Sequence, residues 1–201
     1  MTAAATKRPS SKRELLVETA LRLFHDEGYH ATGIDRILAE AGVAKMTLYK
    51  HFASKDDLII AAAEQRKDEF SNFFDAYIKR NATSPRETLL AYFAGLEEWF
   101  AGRAFPNRPF RGCMFINASA EFPKAEAEIR RIAAESKGRT RSWLQRLAQE
   151  AGARDPAALA SQLSLLAEGA IVTAQVGGDM SAATDARCAA EALIRDQVSG
   201  G

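Results

Sequence analysis

One local pattern, repeated four times, constrains this chain more than any bulk property. Ser11 with Glu14, Thr32 with Asp35, Ser54 with Asp57, and Ser84 with Glu87 each read S/T-x-x-D/E. At that spacing the hydroxyl and the carboxylate can each bond a backbone N–H that the first turn of a helix leaves unpaired, so the pattern marks helix starts. Pro85 and Pro156 follow Ser84 and Asp155 at the first helical position, where a missing N–H costs nothing. Apolar spacing agrees: Leu16, Ala20, Leu23 and Phe24 stand at i, i+4, i+7 and i+8, one face of a helix. Helices are predicted over 12–27, 33–41, 45–52, 54 to about 80, 85–102, 112–122, 123–150, 156–177 and 182–198. Gly28 and Gly42 stop the first two, and 103–111, with Pro106 and Pro109, reads as a loop. The expected fold is all-α with about nine helices and no strand.

Composition limits what such a chain can do. Its 201 residues are 47% hydrophobic and 26% charged, ordinary for a globular protein that needs no metal or crosslink to fold. Cys113 and Cys188 form no CxxC pattern, which suits a reducing compartment. Lys7, Arg8, Lys12 and Arg13 precede no apolar leader segment, and no apolar run approaches the roughly 18 residues of a membrane span. The expected location is cytoplasmic, with no membrane partner. No nucleophile elbow, H-E-x-x-H or P-loop motif is present, and all three histidines fall in the first 51 residues, so neither catalysis, a cofactor nor a metal is expected. The net charge of +1 divides unevenly: residues 1–55 hold nine Lys and Arg against six Asp and Glu. A basic head on a faintly acidic body suits a nucleic-acid-binding module joined to something else.

The chemistry concentrates between Ala39 and Phe52, A-E-A-G-V-A-K-M-T-L-Y-K-H-F. A helix, a short turn containing glycine, and a second short helix crossing the first form a helix-turn-helix, whose second member enters the DNA major groove. Ile37, Val43, Leu48 and Phe52 face inward. Lys45, Met46, Thr47, Tyr49, Lys50 and His51 remain on the free side. Lysine can reach guanine or phosphate, Met and the Thr methyl can meet a thymine methyl, and the hydroxyls can bond phosphate oxygens. Tyr49 can instead pack on the first helix, and His51 can simply favour a helix C-terminus.

Residues 12–58 resemble the TetR/AcrR family of transcriptional repressors. The resemblance rests on Gly28, Tyr29, Thr32, Ile34, Ile37, Ala41, Gly42, Val43, Thr47, Leu48, Tyr49, His51, Phe52, Ser54, Lys55 and Leu58. Two positions depart: Gly33 stands where a second Thr or Ser is usual, and Ala44 replaces the Ser that caps the recognition helix. The resemblance implies a tail at 1–11, a three-helix DNA-binding domain at 12–55, and a helical effector-binding and dimerisation domain at 56–201. It implies phosphate contacts by Thr32, Thr47, Tyr49, His51 and Lys55, with Lys45 and Met46 nearest the bases. The implied partners are a double-stranded DNA operator, a small-molecule effector and a second copy of the chain.

The body is less specific. Twelve of the 17 aromatic residues fall between Asp56 and Phe122, compatible with an apolar pocket or with plain core. Phe93, Trp99, Phe115, Phe122 and Trp143 are candidate pocket residues. Asn117 and Glu168 interrupt apolar stretches and, if buried, need a partner: a ligand, a carbonyl or another subunit. The last two helices carry more apolar surface than one side can cover, so Leu159, Leu163, Leu166, Ala186, Ala190 and Leu193 are candidates for a dimer interface or for the core of one chain. The expected function is a homodimeric repressor on a palindromic operator, released by a small, largely apolar effector. The alternative is a helical small-molecule-binding or interaction protein whose head does not bind specific DNA.

Overall fold

A computed structural model describes residues 11–105, 108–124 and 127–198. The described residues contain nine helices: α1 (Lys12–Glu27), α2 (Ile34–Ala41), α3 (Lys45–His51), α4 (Lys55–Asn81), α5 (Pro85–Phe100), α6 (Met114–Glu121), α7 (Glu128–Glu150), α8 (Pro156–Gly177) and α9 (Ala182–Gln197). The one extended feature among them is an isolated bridge between Ala153 and Val198.

Three of the four capping motifs act as helix starts. Ser11 accepts from the Glu14 N–H, Ser54 and Asp57 bond each other's backbone N–H at 3.0 and 3.1 Å, and Ser84 and Glu87 close a full capping box. The fourth does not. Gly33 caps α2 with no side-chain bond, because Thr32 turns inward and donates its hydroxyl to the Gly28 carbonyl at 2.7 Å. The middle helices are shorter than their apolar patterns predict. Helix α6 stops at Glu121, since Pro123 keeps Phe122 out of helical conformation (φ −113°, ψ 81°), and α7 starts at Glu128 rather than at Pro123.

The chain divides into two compact units. The first joins residues 11–70 to Cys113–Ala134, so α6 and the start of α7 belong to the same unit as the N-terminal helices. Its core holds Leu16, Leu23, Phe24, Tyr29, Ile37, Leu48 and Leu58, all essentially without solvent exposure. On its surface Arg36 bonds Glu40 at 2.7 Å and Glu27 at 3.2 Å, and Arg22 pairs with Glu40. These bonds, Arg36's first and then Arg22's, hold the Glu40 carboxyl below the usual carboxylate range.

The second unit joins Ser71–Gly112 to 135–198, with α5, α8 and α9 packed together. Leu89, Phe93, Leu96, Leu159, Leu163, Ala190 and Ile194 are fully buried in it, and Arg187 on α9 bonds Glu97 on α5 at 2.9 Å. Helix α8 corrects the sequence expectation about apolar runs. By length and composition its 22 residues could cross a membrane. Here Leu159, Leu163, Ala167, Ala170, Ile171 and Ala174 are buried, leaving Leu165, Val172 and Val176 exposed.

Candidate nucleic-acid interface

The turn between α2 and α3 is built from one glycine and one valine. Gly42 takes φ 62°, ψ 37°, a left-handed conformation that a side chain disfavours. Both its N–H and that of Val43 bond the Leu38 carbonyl, the latter at 3.2 Å. Val43 is then buried, and Leu48 and Phe52 seat α3 against the core. A seven-residue helix is too short to be stable alone, so these apolar contacts hold it.

The other side chains of α3, Thr47 excepted, face out. Met46 is 74% exposed and Tyr49 50%, while Lys45, Lys50 and His51 are exposed and Thr47 is half-buried. Two large apolar side chains held open to water on two turns of helix forgo burial energy, the mark of a surface shaped for a partner. Lys45 stands 3.8 Å from Asp35 on α2, both largely exposed. Neither Lys50 nor Lys55 makes an ion pair among the described residues. Lys55 opens α4 beside Asp56 and Asp57, where the helix dipole opposes a cation.

Of the four N-terminal basic residues, which the sequence offers as an arm on the DNA backbone or a soluble tail, the structure describes two, and it removes one contact candidate. Arg13 on α1 lies with its guanidinium 5.2 Å from the Phe52 ring centre, close to the end of α3. Lys12 and Arg13 thus belong to the first turn of α1, whereas Lys7 and Arg8 lie outside the described residues. Thr32 leaves the contact set: it has no exposure, and its hydroxyl bonds the Gly28 and Leu23 carbonyls at 2.7 and 3.3 Å. It closes the turn before α2 instead of facing a phosphate.

The candidate effector residues are divided between the two units. Phe115, Asn117 and Phe122 lie in the first unit, and Phe93, Trp99, Trp143 and Glu168 in the second. Phe122 packs on His30 and Tyr29, with ring centres 4.8 and 5.6 Å apart. Trp99 stacks edge-on with Phe110 at 5.1 Å, and Trp143 with Tyr92 at 5.6 Å. Phe115 is buried, and Asn117 is half-buried on α6. Glu168 is not a buried polar group: it is partly exposed and bonds Lys137 at 2.7 Å. Position within an apolar stretch misled there, because the stretch includes the outward side of α8. The interface candidates divide between the two roles the sequence left open. Leu159, Leu163, Ala186 and Ala190 are buried within the chain, while Leu166 and Leu193 are half-buried.

This architecture defines a class: a helix-turn-helix protein whose reading helix is carried on an all-helical body. Residues 16–62 match the model of the bacterial regulatory proteins of the tetR family, and residues 85–190 match the tetracyclin repressor-like C-terminal domain. The chain belongs to the TetR family, a family of regulatory proteins and not of enzymes. A solved TetR-family transcriptional regulator, SCO4454 from Streptomyces coelicolor, shares 30% identity and superposes with a TM-score of 0.85 over 96% of this chain and 93% of its own. The transcriptional regulator AcuR of Cereibacter sphaeroides is 29% identical over 177 residues, 83% of this chain and 78% of AcuR. The transcriptional activator FasR of Mycolicibacterium smegmatis is 31% identical over 119 residues, 59% of this chain and 52% of FasR. The chain spans about half the length of several curated relatives it matches.

Proposed function

We propose that this protein is a homodimeric DNA-binding transcriptional regulator, a repressor of a palindromic operator, with residues 12–55 as its reading head. The observation that carries this reading is the exposed Met46 and Tyr49, flanked by Lys45 and Lys50, on a short helix seated by Leu48. Lys45 and Met46 lead the helix and approach base edges; Thr47, Tyr49, Lys50, His51 and Lys55 hold the backbone. Repression is preferred over activation because occupancy of an operator suffices for it, although relatives of both kinds exist.

The dimer forms through the outward stripe of α8. Leu165, Val172 and Val176 stand at i, i+7 and i+11 on one face and are 70%, 43% and 81% exposed. Leu166 on α8 and Leu193 on α9 are half-buried and are proposed to join this interface. A two-fold pair places two α3 helices at half-sites one helical turn, ~34 Å, apart or a multiple of it. The effector is small and largely apolar, bound among the aromatic residues of the C-terminal domain, and the relatives include one named a fatty acid metabolism regulator protein. It acts by binding one arrangement of the dimer better than the other. The cell compartment is the cytoplasm.

Fluorescence anisotropy with DNA from upstream of the protein's own gene tests this reading. Specific binding weakens steeply with salt, with a log-log slope of about −0.9 per neutralised phosphate. Tyr49→Ala and Lys55→Ala lower affinity for all duplexes, while Lys45→Ala and Met46→Ala relax sequence preference. A protein indifferent to every duplex in a random library returns the alternative, a helical interaction or ligand-binding protein. Transcript that rises when the protein is added in vitro replaces repression with activation.

A further inference from the structure

The turn that leads into the helix-turn-helix is held by a residue about ninety positions downstream. Glu121, the last residue of α6, directs its carboxylate at two successive amides: the Tyr29 N–H donates to Oε1 at 2.9 Å and the His30 N–H to Oε2 at 2.7 Å. His30 Nε2 donates in return to the Glu121 carbonyl at 2.9 Å. The Tyr29 hydroxyl donates to the Met114 carbonyl, at the other end of α6, at 3.1 Å. Phe122 covers both rings from the side. Gly28 is shaped to this arrangement. A Cβ there would lie 3.2 Å from Glu121 Oε1, and its φ of +91° is one that side chains rarely adopt. Tyr29 is fully buried, and that burial, with Cys113 and Glu121 adding to it, pushes its phenol far above the ordinary range; it remains a neutral donor.

We infer that Glu121 is a positioning residue for DNA recognition: its carboxylate clamps the Tyr29–His30 amides and so sets the direction in which α2 and α3 leave α1. This rests on the DNA-binding reading above. Bonds from N–H groups to an ionised carboxylate are stronger than neutral ones, and two from one carboxylate fix orientation as well as distance. From His30 the chain has three residues before α2 begins, so an error in the turn passes directly into α2 and, through the Gly42 turn, into α3. No local motif announces Glu121. The residues it serves lie in the stretch matched by the N-terminal family model, and it lies in the stretch matched by the C-terminal one.

Glu121→Gln in the full chain tests the clamp. A Gln keeps the shape and one acceptor but turns an NH2 group toward one of the two amides, which then has no acceptor. Glu121→Asp keeps the charge and shortens the reach. Residue-resolved hydrogen exchange on the free protein, and anisotropy with a duplex that the wild type has selected from a random library, are read together. Both variants are expected to speed exchange at Tyr29 and His30 on the order of tenfold, leave α5, α8 and α9 unchanged, and weaken binding to the selected duplex about tenfold. Unchanged exchange at the two amides overturns the clamp. So does a uniform rise across the chain, which marks general destabilisation, or faster exchange at the turn with undiminished DNA affinity. If the wild type selects no duplex, the DNA-binding reading fails, while the exchange arm still reports on the clamp.

Discussion

Ala44 offers a test in which a substitution should improve the molecule. It occupies the N-cap of α3 with φ −69° and ψ 145°, the extended conformation that capping residues adopt, and makes no side-chain bond. Its own carbonyl accepts from Thr47 at 2.8 Å and from Leu48 at 3.4 Å. Among the described residues the Met46 amide finds no backbone acceptor. Ala44 is exposed, so the oxygen added in Ala44→Ser meets no packed neighbour and can accept from the second or third amide of the helix. A Ser cap in place of Ala contributes about 1 kcal/mol, within a range of roughly 0.5 to 2. At about 1.4 kcal/mol per factor of ten, that is about a fivefold shift in the local opening equilibrium. Urea denaturation should show a higher midpoint at unchanged slope, and exchange at Met46 and Thr47 should slow by about the same fivefold. An unchanged midpoint together with unchanged exchange would refute the argument, since it would mean that the first turn of α3 lacks nothing a hydroxyl can supply.

Leu48→Ala removes the one fully buried side chain of α3; a loss of about 2 to 5 kcal/mol is expected in denaturation, with DNA binding lost alongside. Leu165→Glu combined with Val176→Glu places charge on the outward stripe of α8, and light scattering should find monomers where the wild type is a dimer; a dimeric variant would remove α8 from the interface. The Glu87 carboxyl is held below its ordinary range, first by the Thr83 hydroxyl, then by the Thr83 and Ser84 amides. Its folded pKa is depressed, so its stabilisation is present above the unfolded carboxylate range and lost as pH falls through the lowered value. The difference in thermal midpoint between wild type and Glu87→Gln should therefore be fullest at neutral pH and shrink toward the acid end; a difference that grows on acidification contradicts the assignment.

Much of this protein was written into stretches of a few residues. Ser11, Ser54 and Ser84 start their helices, Gly42 supplies the left-handed turn, and Leu48 and Phe52 set the inward side of α3, because capping and turn formation join groups three or four positions apart. That pattern alone locates the short helix after Gly42 and names its outward side. What tertiary structure decided depends on neighbours brought from far along the chain. Thr32 was drawn inward to the Gly28 carbonyl. Glu168 found Lys137 rather than a buried partner, and α8, apolar on two sides, buried Leu159 and Leu163 while leaving Leu165 and Val176 outside. Glu121 met the amides of Tyr29 and His30 across about ninety residues. Periodicity says that a helix has an apolar side, but only the packing partners select which side is covered.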